Sequence, residues 1–558
     1  MAVRGLPTAQ ATAPREHATA LRPETEVDAP PHPRPPHLRA WQASLVPLAL
    51  AVVLLVASAL RLIGISYDFP YILDWDEQAE FYSTTHMLAA HSLDPHFYAH
   101  GPLLIYIETL WLLPYLAVRT LLGQPTIPAI TYYDSYLATT SDPYLPVYGR
   151  LIFVAMGVGA VWLAFLVGRR LAGPWAGVLA ATLLALSPLH TYESHFFLPD
   201  APTSFFAVLT LLFTVRYVQR QRITPLVKGP SARRWHRWPG SRVLDEDRNL
   251  VLAVVTAALG AAVKYNAVAL LLMPLLAVYL TRPLSSEPWP RRCVRLCVVA
   301  ALVFLVTTPP AIINTIPFLH ESLYDLKHYA RYGGGGSGSS IIWYGQYLIE
   351  QEGLLVLPLA VIGLAVGVWR HRRRVDLLML AMIVCYYLLV GVQKAHYARN
   401  LLVILPLLSV ACACALIRLA RPRGLLGPAV AALLAIVVLA ALGQGSVNQA
   451  RAFLSTPPQL VVQSWLRTHL PPHAVVLADG YTVPPVNRRD VTTLYAPRGV
   501  IRLTPDQMRQ DGVGYVVLSN SLWYYLNDPK HLWSPTVKMV PLYAYGSLEV
   551  FSIMHNGT

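Results

Sequence analysis

The sequence predicts a polytopic α-helical membrane protein of about eleven transmembrane helices, with a long first external loop holding interfacial helices and a small C-terminal α/β extracytoplasmic domain. Composition is the first ground: 55% of the 558 residues are apolar and only 13% are charged, where soluble domains carry about a quarter charged residues. Hydropathy patterning is the second, because apolar runs such as 44–65, 150–168 and 425–443 are long enough to cross a hydrocarbon core of about 30 Å as helices. Charge placement is the third. Lys plus Arg is 44 against 30 Asp plus Glu, a net +14, but these cations lie between apolar runs, so the excess argues for membrane topology and not for nucleic acid.

Residues 1–43 hold eight prolines and mixed charges, too polar to pack a core, and are expected to be a disordered cytoplasmic tail. The run 44–65 exceeds a signal-peptide core and reads as an uncleaved anchor. Further spans are expected at 150–168, 174–190, 200–218, 249–264, 266–281, 296–316, 353–369, 375–392, 398–417 and 425–443. The stretch 101–123 is apolar as well, yet it carries Glu108, Pro114 and Arg119, and a central carboxylate costs about 2.5 to 3.5 kcal/mol on insertion scales. Leaving it out of the membrane puts Arg169-Arg170, the basic cluster around Arg233-Arg234 and Arg370 to Arg374 on the cytoplasmic side, as short cytoplasmic loops require. It is therefore placed along the outer face as an amphipathic helix, making 66–149 one external loop.

The transmembrane unit is expected over 44–444, with 317–352 a flexible external loop, followed by a soluble domain at 445–558. In that domain Leu460–Leu470 has helical spacing, while Ala474–Leu477, Tyr515–Leu518 and Leu548–Ile553 have strand character. Gly512-Val513-Gly514 is a lone GxG and reads as a turn. The five cysteines sit in or beside apolar runs, which gives no disulfide framework; Cys293 and Cys297 lack nearby metal partners and read as apolar filler.

Candidate chemistry gathers on the outer side. Asp74, Asp76 and Glu77 follow the first span immediately, and such acids supply a general base or hold a divalent cation; a solvated helix start is the simpler alternative. His190 to Pro202 form a polar hairpin containing His195 and Asp200, the latter also readable as a helix N-cap. Lys264 lies at an outer turn and His396 and Arg399 open a later span; snorkelling to the interface is the alternative for Lys264. Acids, imidazoles and cations on one face suit an anionic head group. Gly333 to Ser340, flanked by Tyr329–Tyr332 and Ile341–Tyr344, read as a hinge that closes over a ligand or as a passive linker.

An Asp76-Glu77 pair in the first loop, His100-Gly101-Pro102 before an apolar helix, Asp200-Ala201-Pro202, Lys264-Tyr265 and His396-Tyr397-Ala398-Arg399 together resemble the glycosyltransferase C superfamily over roughly residues 44–420. The lineage is similar to that of protein O-mannosyltransferases and bacterial aminoarabinose transferases of lipid A. The family's usual His-Pro-Pro is His-Gly-Pro here, and His195 stands where many members have Arg.

The resemblance implies an inverting transferase of the cell (inner) membrane that moves a hexosyl or pentosyl group from a polyprenyl-phosphate donor to a lipid, glycan or protein acceptor outside. It assigns Asp76 as general base with Glu77 beside it, and Lys264, Arg399, His195 and His396 to the donor phosphate. Asp74, His100, Asp200 and Tyr344 fall to the acceptor or to support. No cofactor is certain; a divalent cation on Asp76 and Glu77 is a further candidate. A transporter or lipid flippase is the main rival, although carriers place polar residues at the bilayer midplane and show repeated halves. A membrane scaffold is the third reading, which leaves the acidic pair idle.

Overall fold

The computed structural model describes residues 36–134, 137–223, 248–282, 287–331, 338–421, 424–478, 482–495, 503–519 and 537–555. The N-terminal tail before residue 36, the Arg233-Arg234 cluster and Gly333 to Ser337 lie outside the described residues. The candidate site and both sheets belong to the unit Leu48–Thr558.

Each of the eleven apolar runs is helical. After α1 (Pro36–Leu62) come the short strand β1 (Tyr71–Ile72), α2 (Trp75–Ala89), α3 (Leu103–Leu121), β2 (Ile130–Asp134) and β3 (Leu137–Thr140). Then follow α4 (Tyr144–Ala172), α5 (Pro174–Ala185), α6 (Pro188–Glu193), α7 (Asp200–Ile223) and α8 (Arg248–Val263). A 3-10 turn, Tyr265–Leu271, leads into α9 (Leu272–Leu280), and α10 spans Trp289–Thr307. Among the described residues, six helical stretches are long and apolar enough to cross a membrane, at Leu45–Leu62, Leu103–Leu121, Tyr144–Ala172, Asp200–Gln221, Arg374–Gly391 and from Leu426 onward. Shorter apolar helices accompany them. Helix α4 packs against both α5 and α7, and the three present small residues such as Ala160, Ala164, Ala180 and Ala207, all fully buried, where backbones approach closely.

The seventh run ends earlier than its hydropathy suggests. Pro309 and Pro310 follow Thr307 and break α10, so the chain turns through α11 (Pro310–Ile313) into α12 (Thr315–Arg331). The segment 317–352, expected as a flexible loop, carries most of α12 and also α13 (Ser340–Glu350). The overlooked signal is the spacing of Ile316, Leu319, Leu323 and Leu326, an apolar stripe that α12 leaves exposed.

The remaining helices are α14 (Val356–Trp369), α15 (Arg374–Gly391), a 3-10 turn at Ala398–Val403, α16 (Leu405–Leu419) and α17 (Leu426–Leu454). Beyond them α18 (Pro458–His469), β4 (Val475–Ala478), β5 (Thr492–Tyr495), α19 (Pro505–Gln510), β6 (Tyr515–Ser519), β7 (Val537–Tyr545) and β8 (Leu548–His555) build the C-terminal domain. Its sheet order is β5-β4-β6-β8-β7, with β4 parallel to both neighbours and β8 antiparallel to both of its own. Val476, Val517 and Val550 face α18 residues Val462 and Leu466, while Leu477, Val516, Leu518 and Phe551 bury the other face with Met508. This is the strand alternation of a sheet covered on both sides.

A second, smaller sheet of order β1-β3-β2 lies between α1 and α4, with Tyr71 opposite Thr139 and Ile72 opposite Ala138. It fixes where α2 begins, and α2 carries the acidic residues.

Candidate active site

Helix α2 starts because Asp74 caps it, its Oδ1 accepting from the Glu77 amide at 3.1 Å. Adjacent residues on a helix point about 100° apart, so Asp76 and Glu77 meet different surroundings. Glu77 turns inward onto Arg150 of α4, accepting from Nε at 2.6 Å and from Nη2 at 2.5 Å. It also accepts from the Phe197 amide at 3.0 Å. The same guanidinium reaches Asp68 at 2.9 Å and lies between the Phe69 and Phe196 rings, 5.1 Å from each. Glu77 is thus a buried anchor between α2 and α4.

Asp76 faces the other way and pairs directly with Arg399. Its side chain keeps 24% of its surface exposed and that of Arg399 keeps 20%, which makes this pair the open part of the cluster. Behind it Lys264 Nζ contacts Asp200 Oδ1 at 2.7 Å and Asn400 Oδ1 at 3.2 Å. Lys264 and Asn400 are 136 positions apart and meet because α8 breaks at Lys264, whose extended backbone starts the 3-10 turn, while Asn400 lies in the 3-10 turn ahead of α16.

His100 joins from the loop before α3. Its Nδ1 contacts Glu80 Oε1 at 2.7 Å, and Glu80 lies one helical turn beyond Asp76, on the same side of α2. The His-Gly-Pro sequence has a local cause. The Gly101 amide donates to the Val263 carbonyl at 3.0 Å, and a Cβ there would stand 2.0 Å from the Ala262 carbonyl oxygen. Proline has neither the amide nor the space. The Tyr265 hydroxyl lies 3.0 Å from the carbonyls of both Tyr98 and His100, tying the Lys-Tyr turn to this loop.

Burial alone would raise the Asp76 carboxyl; Arg399, His100 and Lys264 outweigh it, and its pKa falls below the ordinary value. Asp74 goes the opposite way. Burial and the charges of Asp76 and Glu77 push it up to about 7. His100 is raised by Glu80 and Asp76 against the opposing effect of its burial.

Glu193, at the end of α6, was not singled out by the sequence, yet it belongs here. It is buried, and burial with the neighbouring Asp200 charge raises its pKa well above normal against the pull of Arg399 and Lys264. Glu193 Oε2 and Asp200 Oδ2 are buried without a hydrogen-bond partner among the described residues, leaving acceptor capacity facing the cluster.

Other nominated residues are turned elsewhere. His195 presents Nδ1 to the Thr191 carbonyl at 2.8 Å and Nε2 to that of Ile63 at 2.9 Å, with its ring stacked on Phe453 at 3.9 Å. His396 is buried beside Ser340, 3.2 Å from its Oγ. The Tyr344 hydroxyl accepts from Asn400 Nδ2 at 3.1 Å and from the Tyr397 amide at 3.2 Å, so it braces the turn carrying Arg399. A cation shared by Asp76 and Glu77 does not fit this donor set, since Glu77 is taken up by Arg150 and Phe197 and Asp76 by Arg399. No group of three or more metal-type ligands occurs among the described residues.

The raised Asp74 carboxyl has a measurable consequence. The unfolded chain releases this proton near pH 4 and the folded chain near 7, so the unfolded state binds fewer protons between those values and stability falls as pH rises through them. Asn keeps the cap and loses the charge. Thermal melts should show Asp74→Asn gaining on the unmodified protein from pH 4 to 7 and levelling off above, whereas a constant difference across that range would contradict the assignment.

The chain is a multi-helix protein with helices long and apolar enough to cross a membrane, and its fold is shared with solved oligosaccharyltransferases. A family model described as dolichyl-phosphate-mannose-protein mannosyltransferase matches residues 147–228, which include Arg150, Glu193 and Asp200. No curated protein sequence matches the chain. The oligosaccharyltransferase AglB of Archaeoglobus fulgidus, solved with an inhibitory peptide and a dolichol-phosphate, is similar at a TM-score of 0.54 and 13% identity, over 93% of this chain and 75% of that one. An oligosaccharyltransferase structure from the same organism, tethered to an acceptor peptide, gives 0.52 and 12% over the same shares. ArnT of Cupriavidus metallidurans bound to undecaprenyl phosphate gives 0.49 and 14%, over 91% of this chain and 98% of that one.

Proposed function

We propose that the protein is a membrane glycosyltransferase that takes a sugar from a polyprenyl-phosphate donor and passes it, with inversion, to an acceptor hydroxyl on the extracytoplasmic face. The observation that carries this reading is the open Asp76–Arg399 pair backed by Lys264, an acid beside two cations, as an acceptor hydroxyl and a lipid phosphate together would require. Two solved oligosaccharyltransferase structures of similar fold were captured, one with a dolichol-phosphate and one with a tethered acceptor peptide. The orientation is cytoplasmic at the N-terminus and external at the C-terminal domain, in the cell (inner) membrane, with α3 along the outer face. Cysteine placed at exposed Ser141 in a cysteine-free background should react with an impermeant reagent from outside; reaction only from the cytoplasm would reverse the assignment.

The chemistry follows from the pairing. The acceptor oxygen attacks the anomeric carbon, its proton passes to an Asp76 oxygen, and the bond from that carbon to the phosphate oxygen breaks, leaving the lipid phosphate on Lys264 and Arg399. Paired with Arg399, Asp76 is held ionised but weakly basic. A donor phosphate competes for the guanidinium, and an Asp76 relieved of its cation becomes a stronger base. Donor binding and base activation are thereby one event. Glu193 Oε2 and Asp200 Oδ2 are available to sugar hydroxyls.

A pH series tests this. The acid limb of kcat/KM reports the free enzyme and that of kcat the donor complex, so the limb should move to higher pH in kcat. Coincident limbs, or donor turnover without any acceptor product, would remove the proposal; net lipid movement without transfer would favour a flippase.

A further inference from the structure

The described cluster residues all lie upstream of α17, yet the C-terminal domain grips the chain immediately ahead of Asp74. Strand alternation in β1 sends Ile72 into the core beneath α2, with Phe81, Leu104 and Phe153. It sends Tyr71 the other way. The buried Tyr71 hydroxyl accepts from Asn487 Nδ2 at 2.8 Å and from Gln463 Nε2 at 3.3 Å. Gln463 belongs to α18, and its amide also donates to the Pro485 carbonyl. Asn487 sits at φ +54°, in the left-handed region that asparagine tolerates better than most residues. The link ends three residues before the cap of α2 and five before Asp76.

A second grip lies on the opposite flank. Phe453, in the last turn of α17, stacks on His195 at 3.9 Å and on Tyr192 at 5.6 Å, next to Glu193. A Cβ on Gly64 would come within 2.5 Å of the Phe453 Cβ, so the end of α17 lies directly on the turn after α1. The elements leading into and forming the C-terminal domain therefore hold both acidic arms of the site.

We propose that Tyr71 is a positioning residue which, with Asn487 and Gln463, fixes the start of α2, so that the C-terminal domain sets the placement of Asp76. The inference rests on Asp76 being the base. Misplacing a reacting group by about 1 Å can cost about 10²-fold in rate, and one lost hydrogen bond loosens a local structure by roughly tenfold.

The test uses the full chain in nanodiscs, comparing Tyr71→Phe, Asn487→Gly and the double variant by hydrogen exchange and by transfer kinetics. Glycine keeps the left-handed turn while removing the amide. Amides of 75–80 should exchange about tenfold faster in each single variant, those of 515–519 should be unchanged, and kcat should fall about tenfold with donor KM held. The double variant should be no worse than either single one. Unchanged exchange at 75–80 in both single variants, or effects that add, would overturn the proposal. If 515–519 also loosen in one variant, the other decides. Faster exchange at 75–80 combined with a fully active Asp76→Asn would leave the mechanical link standing and remove the base instead.

Discussion

Asp76→Asn should lower the rate of sugar transfer by on the order of 10² to 10⁴ while donor binding survives. Asparagine preserves the shape and can still accept from Arg399, but it cannot take the acceptor's proton. It also frees the guanidinium from an ionic partner, so affinity for a polyprenyl phosphate should hold or improve. Single-turnover transfer with a labelled donor, alongside equilibrium binding of the same lipid, separates the two. Full transfer activity would take the role from Asp76. Asp74 would inherit it, because Glu77 already accepts from Arg150 and Phe197.

Arg150→Met should act on stability instead. Arg150 is the cation of both Glu77 and Asp68 and is 1% exposed, in a group whose acids are equally buried. Removing one partner of a buried ion pair costs about 3 to 5 kcal/mol, because the remaining charge is stranded without water. The loss should appear as a lower unfolding midpoint and poor yield, and Glu77→Gln added to Arg150→Met should return part of it by removing one stranded charge. A variant as stable as the unmodified protein would mean that these acids find other partners.

Much of the helical framework was legible, since crossing a membrane imposes length and apolarity on contiguous residues. The meeting of Arg399 with Asp76, and of Lys264 with Asp200 beside them, was also foreseeable, because cations expected at the ends of apolar runs need an anionic reason to be there. What escaped depends on contacts between distant segments. Arg150 is the first residue of the apolar run 150–168, and nothing around it in sequence announces Glu77. Glu193 sits in a polar hairpin where several side chains look equivalent; only packing turns His195 toward backbone carbonyls and Glu193 toward the cluster. Strand β1 is two residues long, below any periodicity, and β5 and β7 carry their pairing in register with β4 and β8. Helix α12 was hidden by the expectation that residues between spans form loops, although its apolar stripe is written at helical spacing.

The most direct measurement is a structure of the full chain in a lipid nanodisc with a polyprenyl-phosphate sugar bound. The phosphate should lie against Arg399 and Lys264, with Arg399 drawn off Asp76 and the Asp76 carboxylate facing the anomeric carbon from the side opposite the phosphate. A phosphate bound away from these two cations, or an Asp76 still paired with Arg399 and closed off from the sugar, would contradict the account.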